Sequence, residues 1–493
     1  MSSPDIVIIG SGVGGASVAA GLAATGARIL MLERGEQIAA TPQARDPRAV
    51  FVNGHFTPDE HWIDANGRPF VPGNHYNVGG NSKFYGAVLI RYRREDFGEV
   101  AHEGGISPAW PFGYEEIAPW YDAAEALYCV RGTLGEDPTE PEHSVEYPFA
   151  PVPDEPAIAV VRDRLSRAGA HPFSLPLGVD IDQWLKGGQT PFDGFPDTRC
   201  GKMDAETCGL AKARGNPDFE LVTGARVTGL EAGAGGRISA VVYEQGGETH
   251  HVTPSLVVLA AGAVQSAALL LASGLANRSD QVGRNFMNHN ASAMIAIDPR
   301  FENDSVYQKT FGLNDFYLSD GAGGPPLGNI QLLGRISAPI LRGQVKRVPG
   351  FALDWITRHA VDFYAITEDL PDPASRVTLD GGRIRLAWKR SNLQAHKRLV
   401  ARFRRLARRA GFPVVLDRLF DGSVPSHQCG TLRIGDDPAS APLDPTCRAF
   451  DHPNLFVVDA SCLPTSAAVN PALTVAAIAL RAADTIKRQE LAA

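Results

Sequence analysis

The sequence predicts an α/β protein (α+β overall) with two domains. A parallel-sheet domain is assembled from discontinuous segments, and a second domain contains an antiparallel sheet. Three observations predict this. The apolar run Asp5–Ile9 precedes a glycine-rich turn and an alanine-rich helix, as a buried parallel strand does. A buried strand at Asn454–Asp459 and a helix at Pro471–Ile486 repeat that pattern near the end. Between them, residues 300–390 carry short strands and turn signals typical of antiparallel pairing.

Composition bounds the class of protein. The chain has 493 residues, 44% hydrophobic and 21% charged, which is enough for two or three globular domains. Its formal charge of −8 argues against a general nucleic-acid binder, so we expect no nucleic-acid partner. Basic residues concentrate at 397–409, where Leu399, Phe403 and Leu406 recur at helical spacing, which predicts a surface helix with a solvated basic face.

The six cysteines and the apolar segments indicate the compartment. No cysteine pair has the spacing of a zinc or iron–sulfur site, so we expect no metal and a reduced, cytoplasmic setting. No basic stretch followed by an apolar run marks a secretion signal at the N-terminus. The apolar segment Leu256–Leu275 is interrupted at Gly262, which predicts a strand and then a helix over Ala263–Ser273 rather than a membrane span.

The N-terminal unit carries a dinucleotide fingerprint. Gly10, Gly12 and Gly15 match G-x-G-x-x-G between a strand and a helix expected at Ala16–Thr25, with Gly26 ending it. The first glycine permits the tight turn, the second lets backbone approach a pyrophosphate, and the third lets helix and strand pack closely. The N-terminus of that helix faces the phosphate charge. The pattern predicts a Rossmann-type domain.

An acidic residue ends the second strand of this unit. The strand Ala27–Glu33 places the Glu33 carboxylate where it can accept hydrogen bonds from a ribose, and Arg34 follows it. A carboxylate there favours an unphosphorylated ribose, which leaves FAD and NAD as candidates. Two further turns favour a flavin. One is Gly79-Gly80-Asn81, and the other is Ala261-Gly262 after a buried strand; both can bring backbone close to a large cofactor.

The segments can be assigned to domains. We expect residues 1–95, 195–297 and 425–493 to form a discontinuous FAD-binding domain. We expect residues 96–194 and 298–424 to form a substrate-binding domain and cap.

The last part of the chain carries the most specific motifs. They are His427-x-x-Gly430-Thr431-x-Arg433-Ile-Gly435, Val457-Val-Asp459-Ala-Ser461 and Asn470-Pro471. With the fingerprint, the Gly79-Gly80 turn, 282–285 and 368–379, these motifs resemble the glucose–methanol–choline (GMC) oxidoreductases across nearly the whole chain.

The resemblance implies a reaction and its residues. It places His427 and Asn470 over the reactive edge of FAD, where an alcohol loses a proton to a neutral imidazole and a hydride to the flavin. Asn470 would hold the same hydroxyl. Pro471 would begin a helix whose positive end lies at the flavin's pyrimidine end, with Thr474 in its first turn. Asp459 and Ala460 would lie beside the phosphate–ribityl region and Val227 beside the adenine.

Departures from the family pattern refine the cofactor. Members with covalent flavin have a His where this sequence has Phe84, so we expect noncovalent FAD. Members with iron–sulfur or haem partners carry additional cysteines or domains, and we expect Cys200 and Cys208 to be packed thiols.

The substrate prediction rests on two segments, Lys309–Tyr317 and Ser107–Phe112. They are similar to those of bacterial pyranose-oxidase-like and glycoside 3-oxidase-like members, and this similarity implies oxidation of a sugar or glycoside ring hydroxyl. We expect residues 307–317 to form a mobile cover, with Gln308, Asn314, Asp315 and Tyr317 binding the sugar. A tailoring enzyme for a non-sugar or aminoglycoside substrate and a noncatalytic dinucleotide-binding protein stay open as alternatives. So does the electron acceptor, O₂ or a quinone or other carrier.

Overall fold

The computed structural model describes residues 3–186, 191–345, 348–424 and 427–491. The expected domain boundary at 425 and both chain ends fall outside the described residues. The strands are β1 (Ile6–Ile9), β2 (Ile29–Leu32), β3 (Trp62–Asp64), β4 (Pro69–Phe70), β5 (Val100–His102), β6 (Gly105–Ser107), β7 (Pro172–Ser174), β8 (Phe219–Val222), β9 (Arg226–Ala232), β10 (Ile238–Gln245), β11 (Glu248–Val252), β12 (Leu256–Leu259), β13 (Asn290–Ile297), β14 (Phe311–Leu313), β15 (Asn329–Leu332), β16 (Ala360–Thr367), β17 (Arg376–Asp380), β18 (Arg383–Ala387), β19 (Val414–Leu419), β20 (Arg448–Ala449) and β21 (His452–Val457).

The helices of the described residues are α1 (Val13–Leu22), α2 (Pro47–Phe51), α3 (Tyr114–Leu127), α4 (Pro156–Arg167), α5 (Ile181–Lys186), α6 (Ala211–Ala213), α7 (Ala263–Ser273), α8 (Ala338–Gln344), α9 (Gly350–Arg358), α10 (Leu393–Arg409) and α11 (Ala472–Ile486).

A parallel sheet joins the two ends of the chain. Its order is β20-β21-β12-β1-β2-β8, and only the edge strand β20 runs antiparallel to its neighbour. Every residue of β1 and β12 is buried, which explains their unbroken apolar sequences. Helix α1 packs against α11 so closely that a Cβ on Gly21 would lie 2.7 Å from Cβ of Ala483. The predicted parallel α/β architecture is confirmed.

The flanking helices test the predicted boundaries. Helix α7 spans the predicted residues and ends at Gly274 in the left-handed conformation. Helix α1 begins at Val13, three residues before the expected start, because Gly12 is its N-cap and the glycine turn leads directly into the first helical turn. It also ends at Leu22 rather than Thr25, so the predicted bounds of this helix were wrong at both ends.

The middle of the chain forms the predicted antiparallel sheet, with the order β19-β13-β16-β15-β14-β7. One face is covered by α4 and α10, whose buried residues share a core with Ile330, Leu332 and Phe363. Phe403 of α10 packs on Phe363 with ring centroids 4.7 Å apart. The basic helix is therefore amphipathic as predicted, with its apolar side on this sheet.

The face of this sheet opposite to α4 and α10 carries a different set of residues. In an antiparallel pair, opposite residues point to the same side. Tyr364, Gln331 and Gly312 are opposite one another on β16, β15 and β14. They therefore share the face that does not carry the helices. Strand β13 also belongs to this sheet, although the expected boundary at 297 assigned it to the FAD-binding segments.

Candidate active site

The carboxyl ends of β1, β2, β12 and β21 meet at one edge of the parallel sheet, and the glycine turns lie there. Ser11 in the fingerprint turn joins two of them. Its hydroxyl donates to Oε2 of Glu33 at 2.6 Å and accepts from the Gly79 N–H at 3.0 Å. The Gly79-Gly80 turn is thereby held against the fingerprint, and a Cβ on Gly80 would lie 3.4 Å from Cα of Gly12.

The fingerprint glycines differ in what surrounds them. Gly10 has φ +100°, and a Cβ added to it would lie 2.4 Å from the Ala260 carbonyl oxygen. A Cβ added to Gly15 would lie 2.1 Å from the Gly10 carbonyl oxygen. Both positions therefore exclude a side chain. A Cβ on Gly12 or Gly262 would meet nothing within 4 Å. These two residues cap α1 and α7 without a side-chain cap hydrogen bond, so the first-turn N–H groups are not occupied by a capping side chain. Binding of a pyrophosphate there stays a prediction.

Glu33 is buried at the end of β2 as expected, but protein groups contact both carboxylate oxygens. Oε2 accepts from the backbone N–H and hydroxyl of Ser11, and Oε1 accepts from the Gly35 N–H at 2.9 Å. Burial raises the pKa of Glu33 despite these bonds. Arg34 stacks on Tyr76, 3.7 Å from the ring centroid. Binding of a ribose by Glu33 stays a prediction.

Asp459 connects the C-terminal segment to this edge. Its Oδ2 accepts from the Gly262 N–H at 3.0 Å and from the Ser266 hydroxyl at 2.5 Å, and its Oδ1 accepts from the Ser461 N–H at 2.8 Å. The short turn Ala460–Cys462 begins at this residue. The carboxylate is therefore a structural clamp between α7 and that turn.

The Ala460–Cys462 turn in turn positions the segment that follows His427. The N–H groups of Gly430, Leu432 and Ile434 donate to the carbonyls of residues 460, 461 and 462, at 3.1, 2.8 and 3.0 Å. His427 lies just before this ladder with φ +78°, a left-handed conformation that is costly for a residue with a Cβ. Such strain persists only where the surroundings determine it, and His427 is held by its neighbours through both ring nitrogens.

The structure brings His427 and Asn470 together, as the sequence predicted. Nδ2 of Asn470 lies 3.2 Å from Nε2 of His427. On the other side of the ring, Nδ1 of His427 lies 2.8 Å from Nδ1 of His289, whose Nε2 lies 2.9 Å from the Ser466 carbonyl oxygen. Burial lowers the pKa of His427 well below its ordinary value and lowers that of His289 to about 4. Both imidazoles are therefore neutral near pH 7.

The free face of the antiparallel sheet covers this pair. Gln331 donates from Nε2 to Oδ1 of Asn470 at 3.0 Å, and the Tyr364 ring lies edge-on to His427 at 6.4 Å between centroids. Oε1 of Gln331 and Oδ1 of Asn329, two positions earlier on β15, are buried under protein atoms and accept no hydrogen bond from the described residues. The sheet face beside the catalytic pair is therefore polar.

Sequence reasoning missed His289, Gln331 and Tyr364. His289 had a visible signal, because it ends the segment that begins with the family-like Val282-Gly-Arg-Asn285 block. Gln331 and Tyr364 stand in strands whose alternation shows which residues share a face but not which face meets the site.

The expectation of a mobile cover at 307–317 is wrong. Phe311–Leu313 is a fully buried strand inside the sheet. Asn314 donates to Oδ2 of Asp137 at 2.6 Å, and Gln308 donates to Asp362 and the Leu333 carbonyl. Tyr317 is likewise buried, and its hydroxyl donates to Asp96 at 2.7 Å. The polar composition that suggested a loop instead serves buried hydrogen bonds.

Asp315 follows the strand, and its Oδ1 lies 2.7 Å from Nδ1 of the exposed His171. Contact of Gln308, Asn314, Asp315 and Tyr317 with a substrate is therefore not part of the function proposed below.

The remaining expected cofactor residues have varied surroundings. Pro471 is the N-cap of α11 rather than its first residue. The Thr474 hydroxyl forms a 2.7 Å hydrogen bond with the Tyr121 hydroxyl, in the buried interface of α11 and α3. Asn81 is exposed and accepts from the His75 N–H, and Val227 lies half-buried on β9. Their contacts with a cofactor stay predictions.

Cysteines and metal ligands add little to the site. Cys208 is buried as expected, whereas Cys200 is exposed, so its prediction as a packed thiol was wrong. Among the described residues, Asp122, Glu125 and His143 lie close enough to share an ion. The Arg91 guanidinium already lies 2.6 Å from Asp122 and 2.7 Å from Glu125, so it supplies the compensating cation.

Comparison with known proteins assigns the family. The GMC oxidoreductase family matches residues 4–291 with its N-terminal part and residues 371–479 with its C-terminal part. The chain belongs to the GMC oxidoreductase family. It is therefore an FAD-dependent oxidoreductase acting on CH–OH groups, which excludes the noncatalytic alternative.

Relatives align over nearly the full length. The chain is 29% identical to 6'''-hydroxyparomomycin C oxidase of Streptomyces lividus, covering 97% of this chain and 90% of that protein. It is 28% identical to paromamine 6'-oxidase of Streptomyces fradiae (98% and 91%) and 26% to the fructose dehydrogenase large subunit of Gluconobacter japonicus (98% and 98%). The fold is similar to that of pyridoxine 4-oxidase from Mesorbium loti, with TM-score 0.68, 22% identity and coverage of 99% and 100%.

Two expectations about attachment have different outcomes. Within the described residues, no helix combines the length and apolarity needed to cross a membrane. Phe84 stacks on the His75 ring with centroids 3.7 Å apart. Noncovalent binding of FAD stays a prediction.

The open space at Gly12 yields a test. Gly12→Val should abolish FAD binding, because the isopropyl group would occupy the space where the α1 N–H groups meet the pyrophosphate. Gly229→Val is the matched control, since an added Cβ there also meets nothing within 4 Å and neither glycine has positive φ. The measurement is flavin absorbance per folded chain. A Gly12→Val protein with full flavin content would contradict the assignment.

Proposed function

We propose that this enzyme oxidises a hydroxyl group of a sugar or glycoside to a carbonyl, with His427 as the base and Asn470 as the group that holds the hydroxyl. One observation supports this most directly. A neutral imidazole faces an amide across 3.2 Å, beside the sheet face that carries Gln331 and Tyr364.

The side chains have distinct tasks. Bound FAD would supply the acceptor for the hydride that leaves the carbon atom. His427 takes the hydroxyl proton, which it can do because burial keeps the ring neutral. The Asn470 amide donates to the same oxygen and cannot compete for its proton. The fixed backbone of the 430–434 ladder and the Gln331 bond to Asn470 keep both groups oriented before the substrate arrives.

The wall and the relatives support a polyhydroxylated substrate. The amide side chains of Gln331 and Asn329 stand on the β15 face beside Asn470, and polar groups at that position suit a substrate with several hydroxyl groups. The fructose dehydrogenase relative is named for a sugar. We infer a ring hydroxyl of a sugar or glycoside as the reacting group. The names of the two Streptomyces relatives also favour an aminoglycoside as a second candidate.

The remaining parts of the proposal concern the setting. We propose that O₂ or a quinone or other carrier reoxidises the flavin, that the enzyme acts in the cytoplasm and that it has no nucleic-acid partner. The negative charge of −8 supports the last point.

The catalytic pair can be tested by substitution. His427→Ala should retain FAD but reduce its flavin about 10²–10⁴ times more slowly, the usual range for loss of a general base. Asn470→Ala should have a smaller effect, because the base remains. Stopped-flow flavin bleaching without oxygen measures both rates. Wild-type rates in both variants would place the chemistry elsewhere.

The pH dependence follows from the buried imidazole. Because the pKa of His427 lies well below the ordinary 6.5, the ring stays neutral and active above that pH and is protonated only in more acidic solution. The limiting rate of flavin reduction should therefore be flat from pH 6.5 to about 8 and decline only at lower pH. His427→Ala should lack this acid limb. A wild-type midpoint at or above 6.5 would contradict the assignment.

Substrate class is tested by a panel of methyl glucosides, paromamine, 1-butanol and benzyl alcohol, with flavin bleaching as the readout. Sugars or glycosides should react faster than the simple alcohols. Gln331→Leu should slow flavin reduction by every compound of the panel, because Asn470 loses the donor that orients it. Faster reaction with simple alcohols would refute the carbohydrate assignment.

A further inference from the structure

We propose that His289 is a positioning residue that transmits the polarity of a backbone carbonyl to His427 and so fixes which ring nitrogen of His427 carries the proton. The inference rests on the proposed function, since it concerns the base of that reaction. It follows from four hydrogen bonds in series, which connect Ser466, His289, His427, Asn470 and Gln331.

The series begins at a group that can only accept. Nε2 of His289 lies 2.9 Å from the Ser466 carbonyl oxygen, so this nitrogen must carry a proton. The carbonyl also accepts from the Tyr92 hydroxyl at 2.9 Å, and the Ser466 hydroxyl donates to the Asp369 carbonyl. The starting point is therefore fixed by buried neighbours.

The proton on Nε2 determines the next contact. His289 is 2% exposed and neutral, so its Nδ1 carries a lone pair. Nδ1 of His427 lies 2.8 Å away, and two lone pairs at that distance would repel. Nδ1 of His427 must therefore donate, which leaves the lone pair of the neutral ring on Nε2.

The remaining contacts agree with this direction. Without substrate, the lone pair on Nε2 of His427 accepts from the Asn470 amide nitrogen, and a substrate hydroxyl would take the place of that contact. The Asn470 oxygen then faces the Gln331 amide nitrogen, which donates to it. Every tautomer and amide orientation in the series is thus determined by the Ser466 carbonyl.

This direction suits the reaction. The opposite tautomer would present an N–H to the substrate hydroxyl and could not take its proton. When Nε2 of His427 is protonated, Nδ1–H keeps its acceptor on His289. A carboxylate would orient the ring equally well, but its charge would raise the pKa of the base. A neutral histidine orients the ring without that charge.

The tautomer can be read without turnover. In FAD-loaded enzyme with ¹⁵N-labelled histidine, Nδ1 of His427 should give a protonated-nitrogen signal and Nε2 an unprotonated one, assigned by loss in His427→Asn. In His289→Leu the two tautomers should mix. In His289→Asn the wild-type pattern should persist, because the amide oxygen can replace Nδ1 as acceptor.

Kinetics give a second readout. His289→Leu should lower the limiting rate of flavin reduction about 10- to 100-fold, the usual cost of losing an orienting partner, with the half-saturating substrate concentration unchanged. His289→Asn should recover most of the rate. The substrate is the panel compound that bleaches wild-type flavin fastest.

The control is His396→Leu. His396 is equally buried at 2% exposed and bonds through both ring nitrogens, to Ser292 and Thr367, without touching His427. Its loss should leave tautomer and rate unchanged.

A proton on Nε2 of wild-type His427, or an unchanged tautomer and rate in His289→Leu, would overturn the proposal. The wild-type spectrum decides even if that variant fails to fold. Failure of the proposed function would be seen separately, as wild-type flavin reduction by His427→Ala.

Discussion

The hydrogen bonds of the buried Asp459 carboxylate are the interaction on which both the glycine turns and the His427 segment depend. It accepts hydrogen bonds from Gly262 and Ser266 at the start of α7 and from Ser461 in its own turn. The start of α7, at the sheet edge that carries the glycine turns, and the 460–462 turn are therefore held together as one rigid unit. Because residues 430–434 bond to that turn, the position of His427 relative to the glycine turns is determined by the same carboxylate.

Local signals predicted the elements that local sequence determines. The glycine fingerprint, the split of Leu256–Leu275 into strand and helix, and the amphipathic helix at 393–409 all have periodicities or caps that can be read from neighbouring residues. The pairing of His427 with Asn470 came from the family resemblance, since no spacing along the chain shows that these residues meet. The start of α1 was misplaced because the glycines that form the turn also cap the helix.

The parts that could not be predicted depend on partners far away in sequence. Asn314 was interpreted as a loop residue because its acceptor, Asp137, lies 177 positions away in the sequence. When the hydrogen-bond partner cannot be identified from the sequence, a buried polar side chain cannot be distinguished from an exposed one. His289 lies 138 positions from His427. In both cases burial converts a polar residue from a surface feature into a structural one, and burial is a property of the folded chain.

The arrangement of the parallel sheet has a consequence for biosynthesis. Strand β1 is made before its partners, since its neighbour β12 pairs with β21, and α1 packs on α11, far later in the sequence. Chains are synthesised from the N-terminus at about 5–20 residues per second, so the fingerprint waits for these partners while the intervening residues are made. We therefore expect flavin loading only after β21 and α11 have been made. A chain truncated before residue 452 lacks β21 and α11, so its parallel sheet is incomplete. Chaperones and proteases would treat such a chain as an incompletely folded protein.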